Sequence, residues 1–282
     1  MALNYKQALA TLSRGLPAVL IRAGVLAAGG FAIIIVFGML LFAYRVAGAA
    51  SPAVVIIATM AVLGCAVSGL AVQRFFLFRY RAAMLLLFSG RALPAAGLAA
   101  ALKESRSLFS GYSRWQALNL KLRRALSFCR DVNGQTAKKP LAGGIRCFLD
   151  LPADAIIGQA VLVLAFSRGG PDIALSLGEG VALVSALGAD SRRLSRSWLC
   201  FSAAGLAFIF LCLALPNWFI FSSAGAPVWI GIALAAIISG LLHQAFVVPF
   251  VLAGVSGSLL VETRGKTPDE RVCKRLVPFF TP

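Results

Sequence analysis

Four apolar stretches constrain the fold of this chain more than any other feature of its sequence. They cover residues 23–44, 52–72, 197–215 and 227–261. About 20 apolar residues in a helix cross the ~30 Å hydrocarbon core of a bilayer, and only helices and closed barrels satisfy their backbone polar groups in lipid. The sequence therefore predicts an all-α, polytopic membrane protein in which four spans form two transmembrane hairpins.

The composition agrees with burial in lipid. Of the 282 residues, 60% are hydrophobic and 13% are charged, whereas soluble domains average about 45–50% apolar and 25% charged residues. A water-soluble chain of this size could not hide the excess apolar surface. No shift in composition marks a separate soluble domain, so we expect residues 1–282 to form a single membrane domain.

Two prolines are expected to interrupt the last two spans. Pro216 follows the third apolar stretch and predicts its end, with an outer loop over residues 217–226. The fourth stretch is too long for the bilayer core, so it must tilt, kink or leave the membrane. Pro249 predicts a kink there, because proline removes one backbone hydrogen bond and crowds the preceding turn.

The basic residues are distributed asymmetrically. Lys and Arg number 27 against 10 Asp and Glu, which gives a net charge of +17, and they concentrate near the N-terminus, in residues 73–196 and in the tail 262–282. The positive-inside rule therefore places both termini and the middle section in the cytoplasm. All-helical spans with basic inner loops indicate a bacterial-type inner (plasma) membrane.

The same charges indicate the kind of partner. Because they flank apolar spans, we expect the chain to contact the lipid bilayer and its anionic head groups rather than nucleic acid. Arg22, at the cytoplasmic lip of the first span, is expected to snorkel toward these head groups.

A basic amphipathic helix is predicted within residues 73–139. Apolar residues recur at three- and four-residue spacing at Leu108, Tyr112, Trp115, Leu118, Leu122, Leu126 and Cys129. The opposite face carries Arg106, Arg114, Lys121 and Arg124. The pattern is typical of a helix at the head-group boundary, anchored by Tyr112 and Trp115. Its alternative is a helix that packs on the protein's own cytoplasmic side, and the two interpretations are compatible.

Two shorter apolar runs, residues 153–166 and 173–187, lie below spanning length. Runs of about 10–14 residues are more often re-entrant, interfacial or buried. We expect a half-inserted or interfacial helical hairpin, with two tilted spans as the alternative. In topology alone, the combination of spanning hairpins and short helices resembles the sulfate permease family with half-inserted helices, although no residue motif matches. The resemblance implies a permease.

A few polar residues are candidates for a solute path. His243 is the single histidine and lies beside Gln244 in the fourth span, where an ionisable group is a functional candidate. Glu179 lies between two glycines in the second short run. Arg74 and Arg81 follow the second span on one helical face and could form a vestibule for anions. Their simpler interpretations are a neutral histidine bonded to a neighbouring helix, a glutamate at a helix break, and arginines on lipid phosphates.

No enzymatic signature is found in the sequence, and we expect neither catalytic residues nor a cofactor. Phosphate-binding loops, metalloprotease helices and nucleophile elbows are missing, and one histidine without a nearby acid offers no metal site.

The leading prediction is a channel or permease for a small solute, with an anion favoured by the basic mouth. The alternative is a non-catalytic membrane subunit or scaffold that binds anionic lipid or a partner protein. Small residues four positions apart, such as Gly64 and Ser68, permit contact with a second copy or another subunit.

Overall fold

The computed structural model confirms the all-α prediction. It describes residues 4–47, 56–57, 60–61, 64, 67–69, 71–72, 76–91, 97–132, 143–169, 173–223, 225 and 228–280. Within these ranges the regular structure is entirely helical, and no strand is present.

Ten α-helices and one π-helical turn can be followed through the described ranges. In chain order the helices are α1 (Tyr5–Ala47), α2 (Phe78–Phe88), α3 (Leu98–Leu108), α4 (Tyr112–Val132), α5 (Gly143–Arg168), α6 (Ile173–Ala186), α7 (Ala189–Ser223), α8 (Val228–Leu242), α9 (Val248–Glu262) and α10 (Glu270–Phe280). The π-helical turn, His243–Val247, joins α8 to α9.

Three segments of the described chain are long and apolar enough to cross a membrane. They are Tyr5–Met39, Ala189–Ser223 and Val228–Glu262, each of 35 residues. Large apolar side chains project from them without protein contacts that cover them, including Phe208 and Phe219, both 70% exposed. Such a surface belongs in lipid. Most of the predicted span 52–72 lies outside the described residues, so the four-span hairpin arrangement stays a prediction.

The predicted end of the third span at Pro216 is wrong. Helix α7 contains Pro216 and continues to Ser223, so most of the expected outer loop is helical. Proline inside a membrane helix is tolerated when neighbouring groups satisfy the interrupted turn. Here the side-chain Nδ2 of Asn217 donates to the carbonyl of Leu213 at 2.8 Å.

The irregularity expected at Pro249 takes a specific form. The π-helical turn His243–Val247 lies directly before it. Proline cannot donate a backbone hydrogen bond, and a wider turn is one way in which a helix accommodates such a gap.

The described residues divide into two compact units. Unit 1 comprises Met1–Ala18, Arg79–Phe201 and Pro249–Pro282, and unit 2 comprises Val19–Phe78 and Ser202–Val248. Two compact units can belong to one membrane domain, so the single-domain organisation stays a prediction.

The two short apolar runs form the core of unit 1. From Ala160 to Phe166 every side chain of α5 is buried, and so are Leu177, Val181 and Leu183 of α6. A helix that is apolar on all sides is expected to be enclosed, and α6 packs against α5, α4 and α10. These helices are therefore covered by protein within unit 1, and their insertion into the bilayer stays a prediction.

The two glycines beside Glu179 allow close packing and do not break the helix. A Cβ on Gly180 would lie 3.2 Å from Val161 of α5, and one on Gly178 would lie 3.7 Å from Leu276 of α10. Helix α6 continues through all three residues, Ile173–Ala186. The two glycines thus let α5 and α10 pack closely against α6, while the Glu179 side chain takes a different direction.

The basic amphipathic helix begins later than its pattern suggests. Leu108 ends α3, and Phe109 has an extended backbone (φ −127°, ψ 91°), so the predicted continuous helix over 108–129 is wrong at its start. Phe109 then packs edge-on against Trp115 at a centroid distance of 4.9 Å. The break lets α3 and α4 change direction while both contribute to the same core.

Candidate functional site

The polar residues predicted in the fourth span have partners within unit 2. Nε2 of His243 lies 2.8 Å from the Ser202 hydroxyl and 3.1 Å from the Ser202 carbonyl oxygen. This is the geometry of the simpler interpretation, a histidine bonded to a neighbouring helix. Ser202 belongs to α7, so the contact joins α7 to the π-helical turn.

Gln244, the next residue, binds Arg22. Its Oε1 accepts a hydrogen bond from Nη2 of Arg22 at 3.2 Å. Arg22 is 5% exposed, so the expectation that it snorkels outward is wrong. A buried arginine in a membrane segment needs polar groups around it, and Gln244 supplies one.

Unit 2 also contains an apolar cavity. Its volume is about 250 Å³, and it is lined by Ala23, Leu26, Ala27, Gly30, Phe31, Ile34, Ile238, Leu241, Leu242, Ala245 and Phe246. The four polar residues of the preceding contacts do not line it. His243 and Gln244 therefore do not open onto this cavity.

Arg81 lies in unit 1, while Arg74 lies outside the described residues. Nη2 and Nε of Arg81 donate to the same oxygen, Oε1 of Gln159, at 2.8 and 3.2 Å. Burial lowers the pKa of Arg81 to about 10, and the charge interaction with Tyr112 partly opposes the shift. The guanidinium therefore stays charged at neutral pH and is held by an amide dipole, which indicates a structural role.

Glu179 forms an ion pair that joins three segments of unit 1. Its Oε2 lies 2.9 Å from Nη1 of Arg168, the last residue of α5. The second amino group of Arg168 donates to the carbonyl of Lys266 at 3.1 Å. Arg168 therefore connects α5, α6 and the segment after α9.

Next to Arg168 is a polar cavity, here called the basic cavity, with a volume of about 590 Å³. It lies entirely within unit 1 and is lined by Gln7, Ala10, Thr11, Arg14, Ser89, Leu164, Ser167, Arg168, Gly257, Leu260, Val261, Thr263, Arg264 and Gly265. Three of these residues are arginines, and none is acidic. Sequence reasoning noted Arg14 and Arg264 only as flanking charges and did not bring them together.

Two of the arginines are positioned by the same short sequence at a helix end. Ser167-Arg168-Gly169 ends α5 and Thr263-Arg264-Gly265 follows α9. Both glycines have positive φ, 64° and 74°, the conformation that commonly terminates a helix. The sequence signal that could have found this site is therefore a Ser or Thr, an Arg and a Gly in succession at the end of an apolar helix.

Helix C-termini carry partial negative charge, which would oppose an anion, but hydroxyl groups offset it here. Ser89, Ser167 and Thr263 each donate to a carbonyl of their own last helical turn, at 2.6, 2.7 and 2.7 Å. Each hydroxyl proton is thus directed to a carbonyl of its own helix end, and the formal charges of the arginines make the largest contribution to the potential of the cavity.

Arg14 and Arg264 are the uncompensated cations of the basic cavity. Across the described ranges, the guanidinium group of neither residue forms a hydrogen bond or an ion pair, whereas that of Arg168 binds Glu179. The guanidinium of Arg14 fits because residue 90 is glycine: a Cβ there would lie 2.8 Å from Nη1 of Arg14. Two guanidinium groups with ten unused N–H donors suit an anion.

A close contact between α1 and α9 forms the wall opposite the helix ends. Nε2 of Gln7 donates to the carbonyl of Gly257 at 2.7 Å. A Cβ at Gly257 would lie 2.7 Å from the Thr11 hydroxyl oxygen, so only glycine permits this approach. The contact keeps Arg14 on the side of α1 that faces the cavity.

The residues of α4 that were predicted to contact the lipid interface lie on two different faces of the helix. Trp115 is 6% exposed and packs in unit 1, together with buried Leu122, Leu126 and Cys129. Arg114 and Arg124 are exposed, and Tyr112 and Lys121 are half-buried. The apolar face is covered by the protein itself, while the basic face remains available to solvent, lipid head groups or a partner.

Comparison with known proteins gives no further guide to the site. The chain matches no protein-family model, no curated protein and no solved structure. Within the ranges that can be described, no three His, Cys, Asp or Glu side chains gather where a metal ion could be held. The function must therefore be argued from the chemistry of the basic cavity.

Proposed function

We propose that this chain is a non-catalytic membrane protein that binds an anionic ligand in the basic cavity of unit 1. The observation that carries the proposal is the pair Arg14 and Arg264, two guanidinium groups that line one cavity without partners among the described residues. Both side chains are exposed, so the attraction depends on two cations acting together at one cavity. The Gln7 amide lines the same cavity.

The placement of the basic cavity favours a ligand on the cytoplasmic side. Arg14 precedes the first apolar stretch and Arg264 follows the last one, and both lie in segments that the positive-inside rule assigns to the cytoplasm. A bacterial-type inner membrane and cytoplasmic termini are part of this proposal. The exposed arginines of α4 would face the same compartment.

Binding is favoured over transport by the surroundings of the polar candidates. His243 contacts Ser202, Gln244 contacts Arg22, and the described cavity of unit 2 is apolar. A permease needs polar groups that converge on a path through the membrane. These residues instead contact one another in pairs, and none of them lines that cavity.

The thiols of unit 1 also favour a non-catalytic role. Burial raises the pKa of the Cys129 thiol, against a smaller opposing effect of a hydrogen bond with Ser185. Burial likewise raises the pKa of the Cys273 thiol, with nearby Glu179 adding to the shift. A raised pKa lowers the thiolate fraction at neutral pH, so neither cysteine is activated as a nucleophile.

Replacing both cavity arginines should weaken anion binding about tenfold. Both side chains are exposed, so each contact with the anion is worth up to about 1 kcal/mol, and 1.4 kcal/mol corresponds to a factor of ten. The full chain would be placed in phosphatidylcholine nanodiscs and titrated with sulfate by calorimetry at low ionic strength. Arg14→Gln/Arg264→Gln is compared with wild type.

The matched control removes the same charge from an exposed surface. Arg123→Gln/Arg124→Gln alters two exposed arginines of α4 that do not line the basic cavity. We expect its sulfate affinity to stay within about twofold of wild type, because these two charges act on the bound anion only through screened long-range attraction. Equal losses in the two double variants would mean that net charge, and not the basic cavity, attracts the anion.

A flux measurement separates binding from transport. We expect proteoliposomes loaded with labelled sulfate to lose it no faster than protein-free vesicles. Sulfate release that depends on Arg14 and Arg264 would support the permease and contradict the binding role.

A further inference from the structure

The proposed anion site can be taken further, because the arrangement of its cations restricts the chemistry of the ligand. Resting on that proposed function, we infer that the ligand of the basic cavity is a phosphate monoester, recognised by Arg14 and Arg264. A phosphate monoester can be the head group of a membrane lipid, as in phosphatidic acid, or a soluble metabolite, and the two sources share this chemistry.

The first argument is the number and origin of the donors. Arg14 is carried by α1, and Arg264 by the segment after α9, so the two guanidinium groups approach from separate elements. Each guanidinium can donate two parallel N–H bonds to an edge formed by two oxygens. A carboxylate has one such edge, and so does a phosphodiester, whereas the three terminal oxygens of a phosphate monoester form three. Two separate forks therefore suit a phosphate monoester better than a carboxylate.

The second argument is the size and lining of the basic cavity. Its volume of about 590 Å³ falls in the range of sites for organic ligands, roughly 300–1,000 Å³. An inorganic oxyanion would leave most of this space empty. The side chains of Leu260 and Val261 add an apolar part to the wall, and Val261 is exposed. The ligand thus has an organic portion attached to its phosphate.

The third argument is the restraint on Arg168. Its Nη1 is held 2.9 Å from Oε2 of Glu179, and both side chains are partly exposed. Ion pairs of this kind contribute about 0–1 kcal/mol, so a phosphate in the cavity competes with Glu179 for Arg168 at small cost. Removing the charge of Glu179 should release the third guanidinium to the ligand.

The test compares three probes on the full chain. Glycerol 3-phosphate and succinate are titrated into the protein in phosphatidylcholine nanodiscs by calorimetry, and retention of phosphatidic acid is counted by native mass spectrometry of the detergent-solubilised chain. We expect one of the two phosphate esters to bind at least about tenfold more tightly than succinate. We expect its affinity to fall about tenfold in Arg14→Gln/Arg264→Gln.

Glu179→Gln is expected to raise the affinity for the ligand, a result that misfolding cannot produce. Glutamine keeps an oxygen that can accept from Arg168 while it removes the negative charge, so affinity for the phosphate ester should rise about two- to fivefold, the equivalent of a surface ion pair. A gain in affinity requires a folded site. Unchanged or lower affinity in this variant would overturn the role given to Arg168.

The outcomes separate the inference from the proposed function. Retention of phosphatidic acid with weak glycerol 3-phosphate binding assigns a lipid head group, and the reverse assigns a soluble ester; both support the inference. Succinate binding that matches the esters and depends on Arg14 and Arg264 would refute the inference and leave the anion site standing. If neither those probes nor sulfate binds in a way that depends on the two arginines, the proposed function itself is wrong.

Discussion

Gln159→Leu should destabilise the protein by about 2–3 kcal/mol, one of the largest effects expected from a single substitution in unit 1. Oε1 of Gln159 accepts two hydrogen bonds from Arg81, at 2.8 and 3.2 Å. Hydrogen bonds to charged groups contribute about 1.5–3 kcal/mol, and a desolvated cation that loses its acceptor carries the full penalty. Unfolding would be followed by far-UV circular dichroism in a detergent series of increasing denaturing strength.

The double variant Arg81→Met/Gln159→Leu should be more stable than Gln159→Leu alone. Removing both partners of a buried polar contact often leaves the stability nearly unchanged. Removing only the acceptor leaves the charge of Arg81 without a partner in apolar surroundings. Gln116→Leu, at an exposed position of α4, controls for the change in side chain and should stay within about 0.5 kcal/mol. A double variant no more stable than the single one would mean that Arg81 is solvated without Gln159.

Gly254→Ala should destabilise unit 1 by about 1–3 kcal/mol, although alanine usually favours a helix. A Cβ at Gly254 would overlap Cζ2 of Trp198 and lie 2.6 Å from two further ring atoms. The indole of Trp198 is fully buried and packs against the rings of Tyr5, Phe201 and Phe250. Overpacking of an enclosed ring costs about 1–3 kcal/mol. Thermal unfolding in detergent measures the change.

Trp198→Phe should restore stability to Gly254→Ala. The smaller ring removes the atoms nearest to the new methyl group, and it also removes an indole N–H that has no hydrogen-bond partner in the described chain. Gly29→Ala is the matched control, since a Cβ there meets nothing within 4 Å. We expect it to leave stability unchanged or to raise it by up to about 1 kcal/mol. Destabilisation of equal size at both glycines would contradict the packing argument.

The hydrophobic pattern predicted helices and buried faces more reliably than it predicted their surroundings. The spacing of Trp115, Leu122 and Leu126 marked the face of α4 that is buried. The periodicity shows which side of a helix avoids water, but either lipid or protein can cover that side. The same ambiguity affected Arg22, whose place at the lip of a span suggested head groups although the structure surrounds it with unit 2.

The basic cavity could not be predicted in the same way, because its residues are distant in sequence. Arg14, Arg168 and Arg264 become neighbours only when α1, α5 and α9 pack together. In a chain with 27 Lys and Arg, their charge alone does not distinguish them. The local signal that does survive in the sequence is the hydroxyl-Arg-Gly ending at residues 167–169 and 263–265.

The glycines that terminate α5 and α9 also affect how this protein can diverge. Gly169 and Gly265 fix the backbone through positive φ, so the Cα positions of Arg168 and Arg264 are set by the main chain and hardly depend on the arginine side chains. A lineage could therefore exchange these side chains for lysine, glutamine or serine without rebuilding either helix end. Ligand preference could drift among descendants while the architecture persists, provided that both glycines are retained.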